Sequence, residues 1–170
     1  LDIEAFYRQL GRLWILQTAT SDTQWKTSCK VYDVRAVEGT SVTFGRIFYN
    51  EGKKKETTLH GTLTKVNHPA LQKVMKYNNL MEVQPAGEQL FTEKLLYQTD
   101  DKKCGIFLLE QQGKEFYELR LWNASFQNLH KPCIEAYAQR IKHEYFPVTS
   151  YYNGLCPRIF DEANQPSPQQ

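Results

Sequence analysis

The sequence predicts an all-β fold with flanking helices: an eight-stranded antiparallel up-and-down barrel, with a short N-terminal helix and a C-terminal helix packed outside. Three observations carry this. Eight strand-like runs follow one another, separated by turn residues at fairly regular spacing. Several runs are apolar on both faces, as barrel strands are when one face lines an interior and the other packs against outside structure. Closure also removes the exposed sheet edges that eight strands in hairpin order would otherwise leave. At 170 residues the chain is one domain by length. That domain is expected over 1–160, with the polar, Pro-containing segment 161–170 as a mobile tail.

Asp2 is a helix cap, and Ile3, Phe6 and Leu10 form one stripe of a helix over 3–10 that Gly11 stops. The first strand, 12–20, has Trp14, Leu16 and Thr18 on one face and Leu13 and Ile15 on the other. Strand 28–37 alternates Cys29, Val31, Asp33, Arg35 with Lys30, Tyr32, Val34, Ala36. Strands 42–49, 57–66, 74–83, 89–99, 105–109 and 116–122 follow, divided by turns such as Asn50-Glu51-Gly52 and Pro85-Ala86-Gly87. Pro132 opens the last helix, in which Ile134, Tyr137, Ala138 and Ile141 fall at helical spacing.

A formal net charge of +2 does not indicate nucleic acid, and Lys53, Lys54 and Lys55 read as a solvated hairpin tip. No run of eighteen apolar residues offers a membrane span. Four cysteines at wide spacing, Cys29, Cys104, Cys133 and Cys156, without a CxxC pair, point to two disulfides and an oxidising compartment. A start at Leu1, without an initiator Met, is what a processed, secreted protein would show, and a monomer is expected. Asn123-Ala124-Ser125 is a glycosylation sequon. The four histidines lack metal-ligand spacing. There is no GxSxG, HExxH, P-loop or GxGxxG, so neither an enzyme nor a cofactor is expected.

The informative stretch lies between Cys104 and Cys133. Glu118 and Arg120 are two residues apart on a strand and so share a face with Phe116 and Trp122. Alternation alone leaves two orientations open. In one, these four residues face the interior. In the other, the more apolar Tyr117, Leu119 and Leu121 do, and Glu118–Arg120 is an exposed pair worth under about 1 kcal/mol.

In several motifs the chain resembles the tick salivary lipocalins, the group that includes the histamine-binding proteins. The resemblance runs from Trp14 to Cys156. It rests on Trp14-Ile15-Leu16-Gln17-Thr18 followed by Cys29, on Phe91-Thr92-Glu93 with Tyr97 and Asp100-Asp101 ahead of Cys104, and on Tyr117-Glu118-Leu119. Cys133-x3-Tyr137 and Cys156 complete it. The general lipocalin Gly-x-Trp signature is loosened to Gly11-Arg12-Leu13-Trp14. The resemblance implies the pairing Cys29–Cys156 and Cys104–Cys133, and it points Glu118 inwards.

In the amine-binding members of this family an acid follows the cysteine and an aromatic follows Glu-Leu. Here those positions are Gly105 and Arg120. An inward arginine disfavours an amine and suits a carboxylate, which it grips bidentately. The resemblance therefore implies a secreted scavenger of a lipid, eicosanoid or fatty acid. The alternatives are an outer surface that binds a host protein such as a complement component, and a barrel that binds histamine or serotonin. The expected ligand contacts are Arg120, Glu118, Phe116, Trp122, Phe107, Tyr97, Tyr77, Phe44, Tyr32 and Trp14, with Trp14 plugging the closed end.

Overall fold

The computed structural model describes residues 1–21, 26–65, 70, 78–122 and 130–163. The strands are β1 (Gly11–Thr20), β2 (Thr27–Glu38), β3 (Ser41–Asn50), β4 (Lys53–Thr64), β5 (Leu80–Pro85), β6 (Phe91–Gln98), β7 (Cys104–Gln111), β8 (Lys114–Trp122) and β9 (Val148–Ser150). Helix α1 is Ile3–Tyr7, α2 is Lys131–Glu144, and a 3₁₀ helix spans Cys156–Phe160. Strands β2 to β8 pair in sequential antiparallel order, and β1 pairs with both β8 and β2, which closes an eight-stranded barrel.

The closing seam has an unexpected component. β1 meets β2 only over Gly11 to Trp14. Further along, Gln17, Thr18 and Ala19 pair with β9 instead. The amide of Tyr151 then donates to the carbonyl of Leu16 at 2.8 Å, and its carbonyl accepts from the amide of Cys29 at 2.7 Å. The returning chain thus fills the seam at one end of the barrel. Three residues are too short a run to give a strand signal of their own, so β9 exists only through its partners.

The expected boundaries shift for identifiable reasons. Asp2 caps α1 by accepting from the amide of Ala5, but the helix ends at Tyr7 and the chain turns through Leu10 (φ 58°) and Gly11 (φ 91°). Tyr7, not Leu10, completes its buried face beside Ile3 and Phe6. Lys53, Lys54 and Lys55 are not a hairpin tip. They open β4 opposite Asn50, Tyr49 and Phe48, and Lys54 is buried, donating to the carbonyl of Glu162 at 2.6 Å. The strand expected over 74–83 starts at Leu80 among the described residues, and 71–77 lie outside them. Of the expected tail, residues 164–170 also lie outside them.

Three apolar layers result. The interior holds α1 together with Leu13, Ile15, Tyr32, Val34, Phe44, Leu95, Phe107 and Trp122, among others. Outside, α2 covers Ile106, Tyr117, Leu119 and Leu121. The helix presents Cys133, Ala136, Tyr137 and Ile141, whereas Ile134 and Ala138 of the expected stripe are exposed. The disulfide Cys104–Cys133 fixes that rotation, and the Tyr137 hydroxyl donates to the carbonyl of Tyr117 at 2.8 Å. A third cluster, also outside, gathers Trp14, Val31 and Ile47 under the 3₁₀ helix, which Cys29–Cys156 ties down. Both disulfides have the pairing that the resemblance implied.

Trp14 therefore does not plug the barrel. It stacks edge-on to Tyr152 and Phe160 on the outer wall, and the closed end is filled by Phe6, Tyr7, Phe107 and Trp122. Both faces of β1 are apolar, so its alternation gave no sign of which face was inside.

Candidate ligand site

Strand β8 places Phe116, Glu118, Arg120 and Trp122 inside the barrel and Tyr117, Leu119 and Leu121 under α2. The four ionisable groups that follow from this form a line of alternating sign running from the core to the mouth. Glu93 and Arg120 lie deepest. The Arg120 guanidinium donates from Nη1 to Glu93 Oε1 at 2.9 Å and from Nη2 to Glu93 Oε2 at 2.7 Å. Its Nε and Nη2 donate to Glu118 Oε1 at 3.0 and 2.7 Å. The other oxygen of Glu118 accepts from Lys30 Nζ at 3.2 Å.

Two tyrosines complete the cluster. The Tyr7 hydroxyl accepts from Arg120 Nη1 at 2.8 Å and donates to Glu93 Oε1. Tyr32 donates to Glu93 Oε2 at 2.9 Å. The guanidinium also lies 4.1 Å from the centroid of Phe107 and 4.7 Å from that of Tyr32. Arginine has five N–H donors, and these contacts use one hydrogen bond for each. Arg120 thus has no donor left for a ligand. Its expected carboxylate-gripping role is taken by Glu93, a residue absent from the expected site.

The electrostatics agree with a closed cluster. Burial works against the Arg120 cation, but Glu93, Tyr7 and Glu118 outweigh it and hold its pKa well above the usual value. Burial likewise opposes the Glu118 anion, yet Lys30 and Arg120 together bring its pKa below the ordinary carboxylate range. Lys30 goes the other way: burial lowers its pKa, and the attraction of Glu118 only partly compensates. Burial and the charge of Glu93 raise the phenols of Tyr7 and Tyr32 far above their usual value.

Above this cluster the barrel opens. A cavity of about 170 Å³ is lined by Lys30, Arg46, Phe91, Leu109, Gln111, Phe116, Glu118 and Tyr151. A second, of about 150 Å³, adjoins it across Lys30, Arg46 and Tyr151 and reaches Thr27 and Phe48. Arg46 donates from Nη2 to Glu88 at 2.7 Å, while its buried Nε has no hydrogen-bond partner among the described residues. Two features deliver these groups. At the Cys29 bulge (φ 54°) the cysteine faces outwards to its disulfide and Lys30 inwards, on the same face as Tyr32. The seam-filling segment sets Tyr151 in the wall.

Of the expected contacts, Phe116 and Glu118 line the cavity. Arg120, Phe107, Tyr32, Phe44 and Trp122 lie deeper, packed in the core. Tyr97 is not inside. A bulge between Leu95 and Tyr97 flips its face, and it packs beneath α2. Tyr77 and Asn123 lie outside the described residues. Lys30, Arg46, Phe91, Leu109 and Tyr151 were missed. Lys30 and Phe91 were visible as neighbours of Tyr32 and Glu93 on alternating strands, but Tyr151 carried no signal.

Gly105 explains one departure from the amine pattern. A Cβ there would lie 2.9 Å from the ring of Phe6 and 3.2 Å from that of Phe107. The space into which a longer residue would project is occupied by α1.

These features are those of a lipocalin-type ligand-binding barrel. The sequence profile of the family described as tick histamine binding protein matches residues 12–158, and the chain belongs to that family. No curated protein matches the chain in sequence. Among solved structures, a complex of a protein called AM182 with serotonin superposes with a TM-score of 0.65 at 18% identity, covering 92% of this chain and 93% of that one. Bovine odorant-binding protein, as a deswapped triple mutant, gives 0.60 at 11% identity over 85% and 94%. Insecticyanin from the tobacco hornworm Manduca sexta gives 0.60 at 12% over 91% and 82%. Among the described residues no group of three or more His, Cys, Asp or Glu is placed to hold a metal, and every cysteine is in a disulfide.

Proposed function

We propose that the protein is a secreted scavenger that takes a small acidic amphiphile, a fatty acid or eicosanoid, into the barrel mouth. The observation that carries this reading is the buried Nε of Arg46, unpartnered among the described residues, in a cavity wall it shares with Lys30 and apolar side chains. A buried donor without a partner costs about 1–3 kcal/mol, which an arriving carboxylate would recover. The headgroup then lies between Arg46 and Lys30, and the hydrocarbon lies against Phe91, Leu109 and Phe116. Each cavity alone is below the roughly 300–1,000 Å³ that drug-sized ligands occupy. A longer chain would use both, with Tyr151 moving aside. Two disulfides fit an oxidising, extracellular setting. Such a protein would act by stoichiometric removal of a host inflammatory or haemostatic mediator.

One observation favours an amine instead: Glu118 reaches the cavity wall, among aromatic rings, in a chain of the histamine-binding family whose structural relatives include a serotonin complex. Against it, an ammonium entering the mouth meets Lys30 and Arg46 first, and the outer oxygen of Glu118 is already held by Lys30. Native mass spectrometry before and after organic extraction, followed by titration with arachidonate, histamine and serotonin, separates these readings. Retained acidic lipid and arachidonate binding support the proposal. Amine binding without lipid binding overturns it, as does an empty barrel in a protein that captures a host protein.

A further inference from the structure

Lys30 combines three properties that the non-covalent reading does not use together. It lines both mouth cavities, its side chain is only 15% exposed, and a carboxylate stands 3.2 Å from its amine. The surrounding wall is apolar and aromatic on one side, with Phe91, Leu109 and Phe116, and cationic on the other, with Arg46. Burial and the neighbouring Arg46 and Arg120 make its amine easier to deprotonate than an exposed one, against the pull of Glu118. A desolvated amine of this kind is a carbonyl nucleophile.

We infer that Lys30 is a covalent capture site for small apolar aldehydes, which it binds as a protonated imine with Glu118 as the proton shuttle. The inference rests on the mouth cavity admitting small amphiphiles, but not on their being acids. The step balances without any redox partner. Glu118 takes a proton from the Lys30 ammonium across their contact. The freed nitrogen lone pair attacks the carbonyl carbon, and the C=O π pair moves to oxygen, which picks up a nitrogen proton. Glu118 returns its proton to the resulting hydroxyl, water leaves, and the C=N bond forms. The nitrogen keeps one proton and its positive charge, so the ion pair with Glu118 survives the reaction. That conserved pair is the reason the site favours the protonated imine over a neutral one, in which the buried carboxylate would lose its mouth-side partner.

Reductive trapping tests this. The intact protein is incubated with limiting hexanal and sodium cyanoborohydride, then measured by intact mass and peptide mapping. The expected result is a single hexyl group per chain, on the peptide that contains Lys30. It is lost in Lys30→Arg and slowed in Glu118→Gln, while excess oleate protects wild-type Lys30 from labelling. Label spread over exposed lysines such as Lys53 and Lys55, with Lys30 unmodified, overturns the inference. Oleate protection is measured on the wild-type protein, so the test stands even if a variant fails to fold. Should oleate bind and hexanal leave Lys30 unlabelled, only the covalent inference fails. Should neither enter, the proposed mouth site fails with it.

Discussion

Removing the Arg120 side chain would leave Glu93 buried without its bidentate partner and Glu118 with Lys30 alone. Deleting one partner of a buried pair costs about 3–5 kcal/mol, mostly through the charge left behind. Arg120→Ala is therefore expected to lose about that much in urea denaturation, a loss of stability that does not depend on ligand. A change below about 1 kcal/mol, the size of an exposed pair, would contradict the buried assignment. Gly105 makes the complementary point. Gly105→Asp would push a side chain into the ring of Phe6, and overpacking of this kind costs about 1–3 kcal/mol. The variant should melt lower and acquire no histamine binding. Restoring one residue of the amine pattern does not restore the space that α1 fills.

At the scale of elements, the two disulfides have different work. Cys29–Cys156 anchors the 3₁₀ helix and, through the adjoining hydrogen bonds of Tyr151, holds the mouth side of the seam. Cys104–Cys133 fastens α2 to the barrel's outside, away from the cavity. Each closes a long loop worth about 3–5 kcal/mol in the chain-entropy account. Replacing either pair with serines should lower the melting temperature, but only loss of Cys29–Cys156 should also weaken arachidonate binding. Equal effects on binding would contradict the seam assignment. The elements also show how far pattern reading reaches. Hairpin order, strand number and both helices were legible because turns punctuate an alternating chain. Trp14 and Tyr97 were not. One sits on a strand apolar on both faces, and a bulge without sequence signature reverses the other. β9 was invisible because its pairing partners supply its whole reason to be extended.

For the whole molecule, the buried cluster sets the response to pH. Glu118 has a depressed folded pKa, so its contribution is fully present above the unfolded value of about 4.3 and is lost as pH falls through the lower folded value. Tyr7 and Tyr32 act at the other limit. Above about pH 10 the unfolded chain ionises phenols that the folded protein keeps neutral, so stability falls there as pH rises. Melting temperature should therefore be level through neutrality and drop on both sides. A steady rise through pH 10 and beyond would contradict the buried phenols.

Alternation left the facing of β8 open, the resemblance pointed Glu118 inwards, and both Glu118 and Arg120 lie inside the barrel. The sequence did not reveal that Glu93, Tyr7 and Tyr32, brought from three other elements, would saturate the arginine. That contact depends on closure of the barrel, which no local pattern encodes. Arg120 is therefore held within the core cluster, and Arg46 is the group proposed to meet ligand. Calorimetric titration of arachidonate into wild-type protein and Arg46→Gln tests this most directly. Loss of one charge-assisted hydrogen bond predicts an affinity about ten- to a hundredfold weaker, with the melting temperature nearly unchanged. Equal affinity in the two proteins would contradict the central claim.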